Sequence, residues 1–169
     1  PWWHQWTTWI GRAFRGDMGH SRAYAQPVSE VVAQRAPWTP LLSGTALTTA
    51  ILVALLAGIW TGLHPGGVLD RGAAFAANLV QAVPPFVLSL GAVAVFAVTL
   101  RWLPVAGLTS PGEDPSLPQT LRHLILPGAV LTVSVLPWLL LSLRESVRAA
   151  AGSDAVLGAR ARGLPETVV

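Results

Sequence analysis

Three stretches of the chain, residues 39–63, 72–100 and 124–143, contain no charged side chain, and each is long enough to cross a bilayer. The first predicts a spanning helix over 41–63, about 34 Å long at 1.5 Å per residue against a hydrocarbon core of about 30 Å. Thr39 stands where a hydroxyl can cap the free amides, and Pro40 where no N–H is needed. Along this helix Ala46, Ala50, Ala54, Gly58 and Gly62 recur at every fourth position, a stripe that lets another helix backbone approach closely. The second stretch contains Pro84 and Pro85, which predict a main span near 78–100 kinked at those two rings. The third predicts a span over 124–143 with Pro127 in its first turn and a kink at Pro137. Thr132 and Ser134 are the candidates to satisfy the freed carbonyls.

The segments between these runs have patterns of their own. Trp2, Trp6, Trp9, Ile10 and Phe14 fall on one helical face, with His4, Gln5, Arg12 and Arg15 on the others. That is the pattern of an amphipathic helix lying at a membrane interface, the competing reading being a helix packed on a protein core. Residues 16–26 read as a loop, and Val28, Val31 and Val32 predict a short helix starting at Pro27. A short loop is expected over 64–71, around Pro65-Gly66-Gly67. An exposed loop is expected over 100–119, rich in proline and glycine at Pro104, Gly107, Pro111, Gly112, Pro115 and Pro118. Arg144, Glu145 and Arg148 lie just past the third span, and Gly152-Ser153 breaks the helix. Residues 154–162 then predict a two-turn helix, with Ser153 as N-cap, Asp154 at its positive end and Arg160 and Arg162 at its negative end. Gly163 is suited to the left-handed turn after it, Leu164 to folding back, and Pro165 to opening a further helical segment. The fold class is an all-α membrane protein, a kinked helix bundle with about three spans. Its divisions are 1–38, 39–143 and 144–169.

Composition agrees: 52% of residues are hydrophobic and 11% charged, where soluble domains carry about 25% charged. All eleven basic residues are Arg, giving a net charge of +3, and their scatter forms no nucleic-acid patch. The absence of Cys leaves the redox compartment unread. His4, His20, His64 and His123 show no metal-ligand spacing, and no P-loop, G-x-S-x-G or Cys nucleophile occurs. Neither an enzyme nor a resident cofactor or metal is expected. Three helices bury too little to enclose a solute path, so the chain is expected to work inside a larger assembly. Its start at Pro1 suggests an N-terminal part beyond it, which leaves any secretory signal unjudged.

The segment Ala159-Arg160-Ala161-Arg162-Gly163-Leu164 resembles the EAA loop of permease subunits in binding-protein-dependent ABC importers, in the form typical of the dipeptide, oligopeptide and nickel class. Other segments match that class in order. They are Arg15-Gly16-Asp17-Met18-Gly19-His20-Ser21, Pro27-Val28, Arg35-Ala36-Pro37-Trp38-Thr39 and Gly58-Ile59-Trp60-Thr61-Gly62. Pro84-Pro85-Phe86-Val87-Leu88, Trp102-Leu103-Pro104-Val105-Ala106-Gly107 and Leu121-Arg122-His123-Leu124-Ile125-Leu126-Pro127 follow. Ala155 departs from the usual Tyr, and Pro40 from the usual Leu. The family's first span and its last two are not represented, and the loop stops at Val169 before its usual end.

The resemblance implies a permease subunit in a bacterial or archaeal plasma (inner) membrane, working with a second permease subunit. Two cytoplasmic ATPases would dock on the loop at Asp154 and residues 159–164, and an extracytoplasmic binding protein would deliver a peptide or a nickel complex. ATP would be used by the partners alone. Five Arg on one side against six on the other leave orientation open, and the resemblance places 144–169 in the cytoplasm and 1–38 outside. The alternatives are a non-transporting structural or assembly protein of the membrane, and a permease fragment without function of its own.

Overall fold

The computed structural model describes residues 1–107 and 116–165. They divide into two compact units at Leu42 and Ser43. In the N-terminal unit, α1 (Trp2–Ala13) has no buried residue, and its four Trp side chains are more than half exposed. The expected loop over 16–26 holds a two-residue ladder instead, β1 (His20–Ser21) paired antiparallel with β2 (Gln26–Pro27). Glycines at positive φ, Gly16 and Gly19, turn the chain into it, and the Gly19 amide donates to Asp17 Oδ1 at 3.0 Å. Because Pro27 belongs to this ladder, α2 (Val28–Arg35) starts one residue later than expected.

Helix α3 (Trp38–Leu63) begins before Thr39, so that residue lies in the first turn and does not cap it. The Thr39 amide donates to the Ala36 carbonyl instead, and Pro40 sits in the first turn, where an N–H would find no intrahelical partner. The loop expected over 64–71 is shorter, because α4 (Val68–Gln81) starts from Gly67 and takes Asp70 into its first turn.

The second span differs most from expectation. The kink at Pro84 and Pro85 is a full break: α5 (Pro85–Ala92) starts afresh with Pro84 at its N-cap position, and the segment from Pro85 to Thr99 is bent 97° from α4. Each ring removes an amide, and together they leave no route for α4 to continue. At about 21 Å, neither half is long enough alone to cross a bilayer. Val93–Thr99 continues α5 as a π-helix, closed by Leu100 donating to the Val95 carbonyl and by Thr99 Oγ1 donating to Ala94 at 2.8 Å.

Helix α6 (Leu117–Ala151) is much longer than the expected span, at 35 residues. Pro127 therefore lies well inside it, and the helix runs on past the span through 144–151 to the expected break at Gly152. Pro137 is inside as expected and buried. Thr132 and Ser134 do not serve the carbonyl that Pro137 frees. Their hydroxyls donate to Gly128 and Val130, one turn back, and Thr132 also to Ala46 of α3. From the first turns of α6, Arg122 Nη2 donates to the Trp102 carbonyl, and His123 Nδ1 lies 3.1 Å from the Gly107 carbonyl. Pro111, Gly112 and Pro115 of the expected loop lie outside the described residues. Gly152 ends α6, and α7 (Asp154–Ala161) follows, one residue shorter than expected.

Candidate functional site

The small-residue stripe is the contact face of α3. Ala46, Ala50, Ala54, Gly58 and Gly62 are all buried. Thr132 Oγ1 of α6 reaches the Ala46 carbonyl at 3.2 Å, and a Cβ on Gly58 would stand 3.2 Å from Leu143. At Gly62 a Cβ would meet Val147 Cβ at 2.7 Å and the Arg144 carbonyl oxygen at 2.9 Å. Partners on the two helices rise together along both chains, so α3 and α6 run parallel, with backbone nearly on backbone at Gly62. Ala54 also packs with Ala77 of α4 and Leu140 of α6 in the core.

Where α3 ends, α4 begins and α6 approaches its end, four charged side chains converge. Asp70 is 3% exposed. Its Oδ1 accepts from Arg144 Nε at 2.5 Å, and its Oδ2 from Arg148 Nη2 at 3.1 Å and from the Gly66 amide at 2.8 Å. Glu145 accepts from Arg144 Nη1 and lies 3.6 Å from Arg148 Nη1, which balances the cluster at two acids and two bases. Asp70 in the first turn of α4 also suits the positive end of that helix. Polar satisfaction explains why a carboxylate is tolerated at this depth: both oxygens are occupied by donors, two of them charged.

Past the cluster, Gly152 and Ser153 turn the chain into α7. Ser153 holds the N-cap position with extended backbone, but its side chain makes no capping bond, contrary to expectation. Asp154 occupies the first turn and Arg160 the last, and no residue of α7 is buried. The C-terminus closes as the sequence predicts. Gly163 has φ +75°, its amide donates to Arg160 at 2.9 Å, and the Leu164 amide folds back to Ala159 at 3.2 Å. These two bonds form the Schellman arrangement, in which a left-handed residue satisfies the last carbonyls. Arg162 is the C-cap residue, beyond Ala161. A Cβ on Gly163 would meet nothing within 4 Å, so a substitution there is opposed by backbone conformation alone. Gly163→Ala and Gly163→Val should each destabilise this turn by about 1–2 kcal/mol. Tryptic cleavage after Arg160 should accelerate in both variants, and an unchanged rate would show that the turn does not hold the helix end.

Local spacing places 64–71 in a loop and Arg144 and Arg148 at the flank of the third span, so the Asp70 cluster is not visible from it. One signal was available: Asp70 is the sole acidic residue between Glu30 and Glu113, placed at the edge of an apolar run. An acid so placed needs a cation once the helices pack.

Residues 54–168 match the family model described as binding-protein-dependent transport system inner membrane component. The chain is similar to a Brucella suis protein named as a peptide permease, with 34% identity over 96% of this chain and 51% of that protein. It is also similar to the oligopeptide transport system permease protein AppB of Bacillus subtilis, with 29% identity over 100% of this chain and 54% of that protein. The chain thus spans about half the length of the curated relatives it matches.

Proposed function

Because the chain belongs to the family of binding-protein-dependent transport system inner membrane components, we propose that it acts as a permease subunit of an ABC importer for peptides. The observation that carries this reading is the family match, which takes in the stripe from Ala54 onward, the bent segment and the Schellman-capped α7. Peptide is favoured over a nickel complex by the names of the relatives. In this reading α7 is the surface on which a partner ATPase docks, because it is short, has no buried residue and follows α6 directly. ATP binding between the partners displaces α7, and the close-packed pair α3 and α6 carries the displacement into the membrane. A second permease subunit completes the path, and a binding protein delivers substrate from outside. Helix α1, with exposed Trp and no acidic residue, lies at the membrane interface.

Co-expression with the partner subunits tests this reading. The ATPase should co-purify with the chain, and vesicles holding the complete transporter should take up labelled trialanine only when ATP is supplied. Uptake by vesicles holding this chain alone would defeat the proposal. Orientation is tested separately, since the chain has no Cys. An impermeant thiol reagent should label Ser116→Cys in intact cells and Ser153→Cys only after permeabilisation. The reverse pattern would invert the topology.

A further inference from the structure

Three helix ends meet at one carboxylate. The last turn of α3 brings Gly62 against Val147 and the Arg144 carbonyl, α4 supplies Asp70, and α6 supplies Arg144 and Arg148, one turn apart. The same α6 then breaks at Gly152 and becomes α7. Asp70 uses one oxygen for each guanidinium, so it fixes both the rotation and the height of the α6 end against α4. A single apolar contact would permit sliding along the helix. Two charge-assisted bonds at different levels do not.

We propose that Asp70 is a positioning residue for energy coupling: it latches the α7-bearing end of α6 to the start of α4. A displacement of α7 then moves α3, α6 and the bent α4–α5 segment as one body. The proposal rests on the transporter reading above, and it concerns how motion is shared among the helices rather than where the ATPase docks. The graded exposure of the cluster fits this role. The side chain of Asp70 is 4% exposed and that of Arg144 13%, whereas Arg148 is 35% and Glu145 60% exposed. The inner pair is sheltered and the outer pair meets solvent, so the latch is held from within. Stability alone is a weak reason to build such a cluster, because buried ion pairs are often no more stabilising than well-packed apolar side chains.

The test uses the protein assembled with its ATPase and second permease subunits. Spin labels at Val68→Cys and Ala149→Cys, both exposed positions, report the distance between the α4 start and the α6 end. With Asp70 present, the distance distribution should be narrow and the same without nucleotide and with ATP plus vanadate. In Asp70→Asn, which keeps the shape and removes the charge, the complex should still assemble and hydrolyse ATP. Its distribution should broaden and shift when nucleotide binds. Asp70→Glu should recover part of the narrow distribution, a rescue that generic damage would not show.

If Asp70→Asn does not assemble, Arg148→Gln takes its place, because it leaves the Arg144 bond intact, and it should broaden the distribution in the same way. A distribution in the substituted protein that matches the unsubstituted one in both nucleotide conditions overturns the latch while leaving the transporter reading in place. Failure of the unsubstituted chain to assemble with an ATPase overturns both.

Discussion

Asp70→Ala is expected to lower the unfolding free energy of the detergent-solubilised protein by about 3 kcal/mol, the low end of what removing one partner of a buried ion pair costs. The loss arises from what remains. Arg144, 13% exposed, keeps its charge without a sheltered counter-ion, and the Gly66 amide loses its acceptor. Arg148 moderates the cost because, at 35% exposure, its head can turn to water. Glu145→Ala makes the contrast: its carboxylate is 60% exposed, and the change should cost no more than about 1 kcal/mol. Denaturant titration of the two variants beside the unsubstituted protein measures the difference. Equal losses for both would mean that the cluster does not act through its buried acid.

Gly62→Val is expected to separate the parallel pair, at a cost near the upper end of the 1–3 kcal/mol typical of overpacking. The obstruction includes backbone: the Arg144 carbonyl oxygen stands 2.9 Å from where a Cβ would be, and Val147 Cβ stands 2.7 Å away. Neither can swing aside by changing rotamer. Val147→Ala should therefore rescue little, since it retains both atoms. At Gly58 the nearest atoms all belong to the Leu143 side chain, at 3.2 Å. Gly58→Ala should be close to neutral, because a small repacking cost is offset by the gain of about 0.5–1 kcal/mol from replacing a helical glycine. Unfolding of the three variants, with a disulfide-trapping pair across α3 and α6 as a readout of their separation, distinguishes these outcomes. A Gly62→Val protein as stable as Gly58→Ala would show that the close approach at Gly62 is not maintained.

The features legible in the sequence are those fixed by local spacing. The stripe from Ala46 to Gly62 could be read because every fourth residue of a helix shares a face, and Gly163 because a helix end needs a left-handed residue. The family resemblance rested on such local segments and agrees with the family match. Features set by distant partners were not legible. Asp70 and Arg144 are 74 positions apart, and no pattern near either one announces the other. The start of α6 is not legible because its first turns, with Pro118 and polar neighbours, look like loop when judged by hydropathy. Helix geometry continues through Pro127 because tertiary packing outweighs propensity. The π-helix at Val93–Thr99 has no compositional mark, since its apolar residues would serve an α-helix equally well.

The parallel register of α3 and α6 carries a consequence for the segment between them. Two crossing helices that point the same way enter at one face of the bilayer and leave at the other. The chain that joins the exit of the first to the entrance of the second must therefore return, and its number of passages is odd. In the permease reading proposed above, with α3 and α6 both crossing, α4 and α5 would share that return around the 97° corner. A re-entrant hairpin, which comes back to the face it left, would deliver the chain to the wrong side for α6 to begin. In that reading the break at Pro84 and Pro85 would be a corner inside a passage, a place where backbone amides and carbonyls at membrane depth must be answered by protein or water rather than by lipid.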